Sequence, residues 1–213
     1  MDEIDAFFED CFEDRLEIVA ARIQENPGLI HSRRIGGRTP LHQTAFGGGQ
    51  RVAALLIASG SDVNATNDYG WVPLHYAAAP LSAGVAELLL RNGATPGAAN
   101  DNGSTPLHFA VDYGKLSMVE LLLLHGAAVN THDHDERTPL DFAASDSEIA
   151  QLLRAKGALP GTPAPAAKSN AEMPEWLKGH EGEIGQLLDT VQEQWNPPSR
   201  PQTGERQDKP REL

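Results

Sequence analysis

Cysteine is nearly absent: Cys11 is the only one in 213 residues. That excludes an intrachain disulfide and any multi-cysteine zinc or iron–sulfur centre, and it fits a reducing compartment. Stability must come from packing. Long apolar runs are also missing, since no window approaches the roughly 18 consecutive apolar residues that a membrane helix needs. The opening MDEIDAFFED is acidic where a signal peptide is basic, so a cytoplasmic protein that engages no membrane is expected. Bases are scarce too. The 17 Lys and Arg face 30 Asp and Glu, a formal charge of −13, which removes the phosphate attraction behind general nucleic-acid binding. A neutral or basic protein surface is the better partner, and a monomer is expected. The length allows one large or two small domains.

Signatures of catalysis are missing as well. There is no Gly-x-Ser-x-Gly elbow, Walker loop or dinucleotide fingerprint, and GGGQ at 47–50 reads as a helix–helix turn. Cys11 stands among Phe7, Phe8 and Phe12 and the acids Glu9, Asp10, Glu13 and Asp14. Carboxylates oppose the thiolate that a nucleophile needs, so a small buried hydrophobe is expected. The run His132-Asp133-His134-Asp135 is the one dense set of metal-ligand types. Alternate residues of an extended loop point apart, which favours a polar loop tip over a metal site. No catalytic residue, cofactor or metal ion is expected.

What is present is a repeat. Thr-Pro-Leu-His at 39–42 returns as Val-Pro-Leu-His at 72–75, Thr-Pro-Leu-His at 105–108 and Thr-Pro-Leu-Asp at 138–141, each 33 residues after the last. A Leu-Leu pair at 55–56, 88–89 and 121–122 keeps the same interval, followed by Gly60, Gly93 and Gly126. Thr39 and Thr105 suit a helix N-cap, and Pro40, Pro73, Pro106 and Pro139 suit the first helical position, where no N–H is needed. A short helix starts there. A second helix follows through the leucines, and the glycines supply left-handed stops. Segments rich in Asn, Asp and Gly, such as Asp62–Gly70 and Ala128–Glu136, predict hairpin-like loops. Small residues such as Ala45, Ala78 and Ala110 permit close helix approach.

In these residues the chain resembles the ankyrin repeat family. The resemblance implies an all-α solenoid of stacked helix-turn-helix units with hairpin-like loops. It covers 37–159 as four repeats, 37–69, 70–102, 103–135 and 136–159, with residues 1–36 as degenerate N-terminal capping helices. In the last repeat Gly157 falls 31 residues after Gly126, and Asp141 replaces the histidine. The second repeat departs furthest: Val72 replaces the capping Thr, Leu81 the turn glycine, Pro80 and Gly84 lie where the second helix should begin, and Pro96-Gly97 replaces Val-Asn. It is expected to be the soft joint, exchanging amide hydrogens earlier over 79–100 than over 105–124. His42, His75 and His108 fall one per repeat, about 10 Å apart along a stack. The resemblance gives them a structural hydrogen bond to the loop backbone. Asn64 and Asn130 hold the position hydroxylated in some members of the family.

The resemblance also places partner contacts on the concave face, at loop tips and first helices. Those positions are Ile35, Arg38, Phe46, Asp68, Tyr69, Trp71, Ala79, Asp101, Asn102, Ser104, Asp112, Tyr113, His134, Asp135 and Arg137. Tyr69, Trp71 and Tyr113 are expected as exposed anchors framed by Asp68, Asp101, Asp112 and Asp135, suiting a protein partner with an apolar knob and a basic rim. The alternative is that Trp71 and Tyr69 pack on adjacent loops. The implied function is a non-catalytic protein-binding module acting as adaptor, scaffold, or regulatory or inhibitory subunit. Its rivals are an acidic inhibitor masking a basic surface, a modification substrate, and an enzyme with its chemistry in the tail. From Pro160 the composition turns to Pro, Ala and Ser, so 160–213 is expected to be a mostly disordered tail. Within it, 174–195 carries Leu177, Ile184, Leu188, Val191 and Trp195 on one helical face. That helix would stand alone, fold back on the last repeat or enter a partner's groove. The charge is concentrated in residues 1–159, with 21 acids against 11 bases.

Overall fold

The structure is a computed structural model that describes residues 2–78 and 82–162. Every regular element among them is helical, and each helix starts where its residues dictate. Helix α1 (Glu3–Phe12) opens on Asp2, whose carboxylate accepts the Asp5 N–H at 2.7 Å, and α2 (Leu16–Glu25) follows. A 3-10 turn (Pro27–His31) then leads to the first Thr-Pro. Next come α3 (Pro40–Gly47) with α4 (Gln50–Ala58), α5 (Pro73–Ala77) with α6 (Ala83–Arg91), and α7 (Pro106–Asp112) with α8 (Leu116–Leu124). A 3-10 turn (Pro139–Phe142) with α9 (Glu148–Ala155) closes the series.

Two layers result. α1, α3, α5, α7 and the turn at 139–142 pack one against the next, and α2, α4, α6, α8 and α9 do the same behind them. Leu41, Leu74 and Leu107 from the first layer and Leu56, Leu89, Leu122 and Leu153 from the second are fully buried. The first three repeats thus contribute one fully buried leucine per layer, and the fourth contributes Leu153, to a core that runs through all four repeats. Truncating any of them to Ala removes about 2–5 kcal/mol. The expected stops at Gly60, Gly93 and Gly126 have φ of 97°, 87° and 87°.

At the N-terminal end, the buried Asp10 accepts from Arg15 at 3.1 Å and Arg22 at 2.8 Å, which ties α1 to α2. Asp14, at φ 53°, reaches across so that its carboxylate accepts the Val52 N–H at 2.8 Å and caps α4. Cys11 is fully buried, and that burial pushes its thiol up to about 12, as expected of a small hydrophobe.

Two elements are shorter than the repeat pattern predicts. The last Thr-Pro-Leu starts only a 3-10 turn because this repeat is two residues short, and Ala143 is already extended. Ser147 then caps α9, its hydroxyl accepting the Ala150 N–H at 3.2 Å. In the second repeat α5 stops after 5 residues, against 8 in α3 and 7 in α7. Ala79, Pro80 and Leu81 lie outside the described residues, as does the expected helix at 174–195. Among the described residues no helix is long and apolar enough to cross a membrane.

Candidate functional site

The loops joining the repeats are hairpins built on one side chain each. Asn67 Oδ1 accepts from the Tyr69 and Trp71 N–H groups, both at 2.9 Å. Asn100 does the same for Asn102 and Ser104 at 3.0 Å, and Asp133 for Asp135 and Arg137 at 2.9 Å. Each hairpin also closes through its backbone, residue 67 to 71, 100 to 104 and 133 to 137. Neighbouring hairpins are joined by Asp68 N–H to the Gly36 carbonyl at 3.0 Å, Asp101 to Tyr69 at 3.1 Å and His134 to Asn102 at 2.9 Å. Two strand spacings per hairpin set a pitch of roughly 10 Å between tips. Sequence reasoning missed these keystone side chains, although they recur at the 33-residue interval as 67, 100 and 133, because the Thr-Pro-Leu-His motif is more conspicuous.

One column of these hairpins needs a positive φ. Gly37, Gly70 and Gly103 have φ of 71°, 72° and 75°. A Cβ at Gly70 would also lie 2.9 Å from the Asp101 nitrogen of the next hairpin, and one at Gly103 3.0 Å from that of His134. The fourth member is Glu136, at φ 59°.

The histidines bind each repeat to the next. His42 Nδ1 accepts the Thr39 N–H at 3.1 Å while Nε2 donates to the Trp71 carbonyl at 2.9 Å. His75 links Val72 (3.0 Å) to Ser104 (3.1 Å), and His108 links Thr105 (3.0 Å) to Arg137 (3.3 Å). A backbone N–H on one nitrogen and a carbonyl on the other fix a single neutral tautomer. Burial pushes His42 and His75 down to about 4 and lowers His108 as well. In the last repeat Asp141 serves both sides by acceptance alone, taking Thr138 N–H at 2.7 Å and Gly161 N–H at 2.8 Å.

Against this frame the expected contact residues separate. Ile35 is 94 % exposed and Tyr69 50 %, with the Tyr69 ring 3.5 Å from where a Gly36 Cβ would lie, beside Ile35. Asp68, Asp101, Asn102, Asp112, His134 and Asp135 are exposed, and Phe46, Ser104 and Tyr113 are half-buried. Burial pushes the Tyr113 hydroxyl up to about 12, with Asp112 adding to it. Asp112 is exposed as a residue, but its carboxyl end is partly shielded from water, which raises it.

Trp71 overturns its expectation. Only 6 % exposed, it packs on Phe109 at 4.5 Å between ring centroids and on Tyr76 and His75 at 5.4 Å. It is a core side chain between the second and third repeats, because its column points back onto the first helices rather than out from the tips. Arg38, in the same column, is also buried. Arg137 is exposed but engaged. It donates to Asp133 at 3.0 Å and Asp135 at 2.7 Å and covers the Phe142 ring at 4.8 Å, bracing the last hairpin.

The His132–Asp135 run divides in the same way, with Asp133 buried and committed to its hairpin and the two histidines exposed. Among the described residues no group of three His, Cys, Asp or Glu side chains could hold a metal ion. Asn64 and Asn130 each clamp the following loop. Asn64 donates to the Gly93 carbonyl and accepts the Thr95 N–H, both at 2.9 Å, and Asn130 does so with Gly157 at 3.0 Å and Leu159 at 2.8 Å.

No curated protein matches the chain. The family model described as "Ankyrin repeats (3 copies)" matches residues 10–98 and 78–163, three quarters of the sequence in overlapping blocks that meet the helix pairs described above. With that coverage, the stacked helix pairs and the histidine-linked hairpins agree on one assignment: the chain belongs to the ankyrin repeat family.

Proposed function

We propose that this chain is a non-catalytic protein-binding module, a monomeric cytoplasmic adaptor, scaffold, or regulatory or inhibitory subunit. Ankyrin repeats in general are protein–protein interaction modules. One observation carries the reading here: the tip columns 35/68/101/134 and 36/69/102/135 take no side-chain part in the frame between 35 and 102, yet stand on backbone fastened tip to tip. Ile35 and Tyr69 are an exposed apolar pair on that rigid support. Preorganised aromatic and aliphatic anchors are the usual source of interface energy. Phe46, Asp112 and Tyr113 on the first helices extend the surface, and a charge of −13 keeps copies of the chain apart.

Affinity capture with the unaltered chain identifies a partner, and the double variant Ile35→Ala/Tyr69→Ala tests the surface. It should bind about 30-fold more weakly, the loss of one hot spot, with unchanged melting. Full affinity in the folded variant would refute the assignment. The exposed acids Asp68, Asp101, Asp112 and Asp135 favour a second reading, an inhibitor that masks a basic surface. Steep weakening with added salt would single it out.

A further inference from the structure

We propose that the seam between the second and third repeats is a hinge at which the stack changes curvature. Three seams join the four repeats, and two are fastened at both edges. At the hairpin edge, each has its histidine bridge and its tip-to-tip backbone bond. At the other edge, beside the ends of the second helices, Asn64 clamps the first seam and Asn130 the third through two hydrogen bonds each.

The corresponding residue of the middle seam is Gly97. With no side chain, it leaves the loop at Gly126–Ala128 without a clamp. A second fastening fails nearby. Asn67 Nδ2 donates to the Tyr76 hydroxyl at 3.0 Å, but Phe109 holds the equivalent position in the next repeat, and the buried Asn100 Nδ2 has no partner among the described residues. The hairpin edge of this seam, in contrast, is held by His75 to the Ser104 carbonyl at 3.1 Å, Asp101 to the Tyr69 carbonyl at 3.1 Å, and Trp71 stacked on Phe109 at 4.5 Å. Across the first seam, in comparison, His42 meets Tyr76 at 5.4 Å and Phe46 meets Tyr76 at 6.2 Å. A joint pinned at one edge and released at the other pivots about the pinned edge. Trp71 is the pin, and the loops at 94–98 and 126–128 open. The hinge rests on this fastening alone and is independent of any partner binding.

The repair is sterically open, since a Cβ at Gly97 meets nothing within 4 Å. Native-state hydrogen exchange on the full chain should show Gly97→Asn slowing the Ala98 and Ala127 amides about tenfold, the worth of a clamp. Asn64→Gly, which copies the open seam one repeat earlier, should speed Ala65 and Ala94 by a similar factor. As an independent readout, spin-label pairs at 87/120 across the middle seam and 54/87 across the first should differ, the 87/120 distance distribution being broader and narrowing in Gly97→Asn. Equal widths in the unaltered background would overturn the hinge. So would Ala98 and Ala127 unmoved by Gly97→Asn while Asn64→Gly moves Ala94.

Discussion

Acid should unfold this protein through its histidine ladder, well before pH 4. His42 and His75 are neutral in the fold because Nδ1 is committed to accepting a backbone N–H, and protonation would set two donors face to face. Their folded values of about 4 lie below the ordinary 6.5. Between those values the unfolded chain binds more protons than the folded one, so stability falls as pH drops through 6.5 towards 4. Every tenfold loss of proton affinity on folding corresponds to about 1.4 kcal/mol. Two histidines therefore withdraw about 2.7 kcal/mol for each step of one in pH across the window, or on the order of 6 kcal/mol in all, comparable with the whole stability of a typical domain. His108, lowered in the same direction, adds to this loss. Urea midpoints at pH 7, 6, 5 and 4.5 give the slope, and calorimetry in two buffers of different ionisation enthalpy counts the protons, about two taken up on unfolding near pH 5.2. His42→Gln/His75→Gln should start less stable at pH 7 but lose less on acidification. A wild-type stability that is flat from pH 6.5 to 5, or an identical slope in the double variant, would refute the reasoning.

Trp71→Ala should destabilise the fold by about 3–5 kcal/mol, as a buried aromatic does; denaturant melts check it, and a loss under 1 kcal/mol would return Trp71 to the surface. Glu136→Gly should raise stability by about 1 kcal/mol by relieving a positive φ, whereas Gly70→Ala should lower it by more than that because the Asp101 backbone is also in the way. Thermal melts of the two variants should move in opposite directions. Phe109→Tyr should give the Asn100 amide the hydroxyl that Tyr76 gives Asn67, adding about 1 kcal/mol. An unchanged midpoint would mean the new hydroxyl is not reached.

The stack was legible because its signals are local and repeat: a Pro after the cap, a leucine for each layer and a histidine between repeats each recur at 33 residues. Exposure was harder to read. Column 38/71/104/137 holds Arg, Trp, Ser and Arg, a mixture with the look of surface, yet Arg38 and Trp71 are buried. Trp71 is buried by Phe109, and only the packed structure shows that pairing. The shortened first helix of the last repeat was visible as a two-residue deficit, but not that the deficit leaves only a 3-10 turn. Asp14 gave no warning at all, since its cap on α4 spans 38 residues and depends on a left-handed backbone.

Glu136 carries a consequence for the length of the array. At Gly37, Gly70 and Gly103 the following hairpin occupies the space a side chain would need. Among the described residues no hairpin follows Glu136, and the segment through Gly161 passes by its carbonyl instead. A further repeat spliced on in register would drive its hairpin backbone against this glutamate. Any chimera that lengthens the stack must therefore restore glycine at 136 and also displace the segment at 159–161, which Thr138 and Asp141 hold in that place.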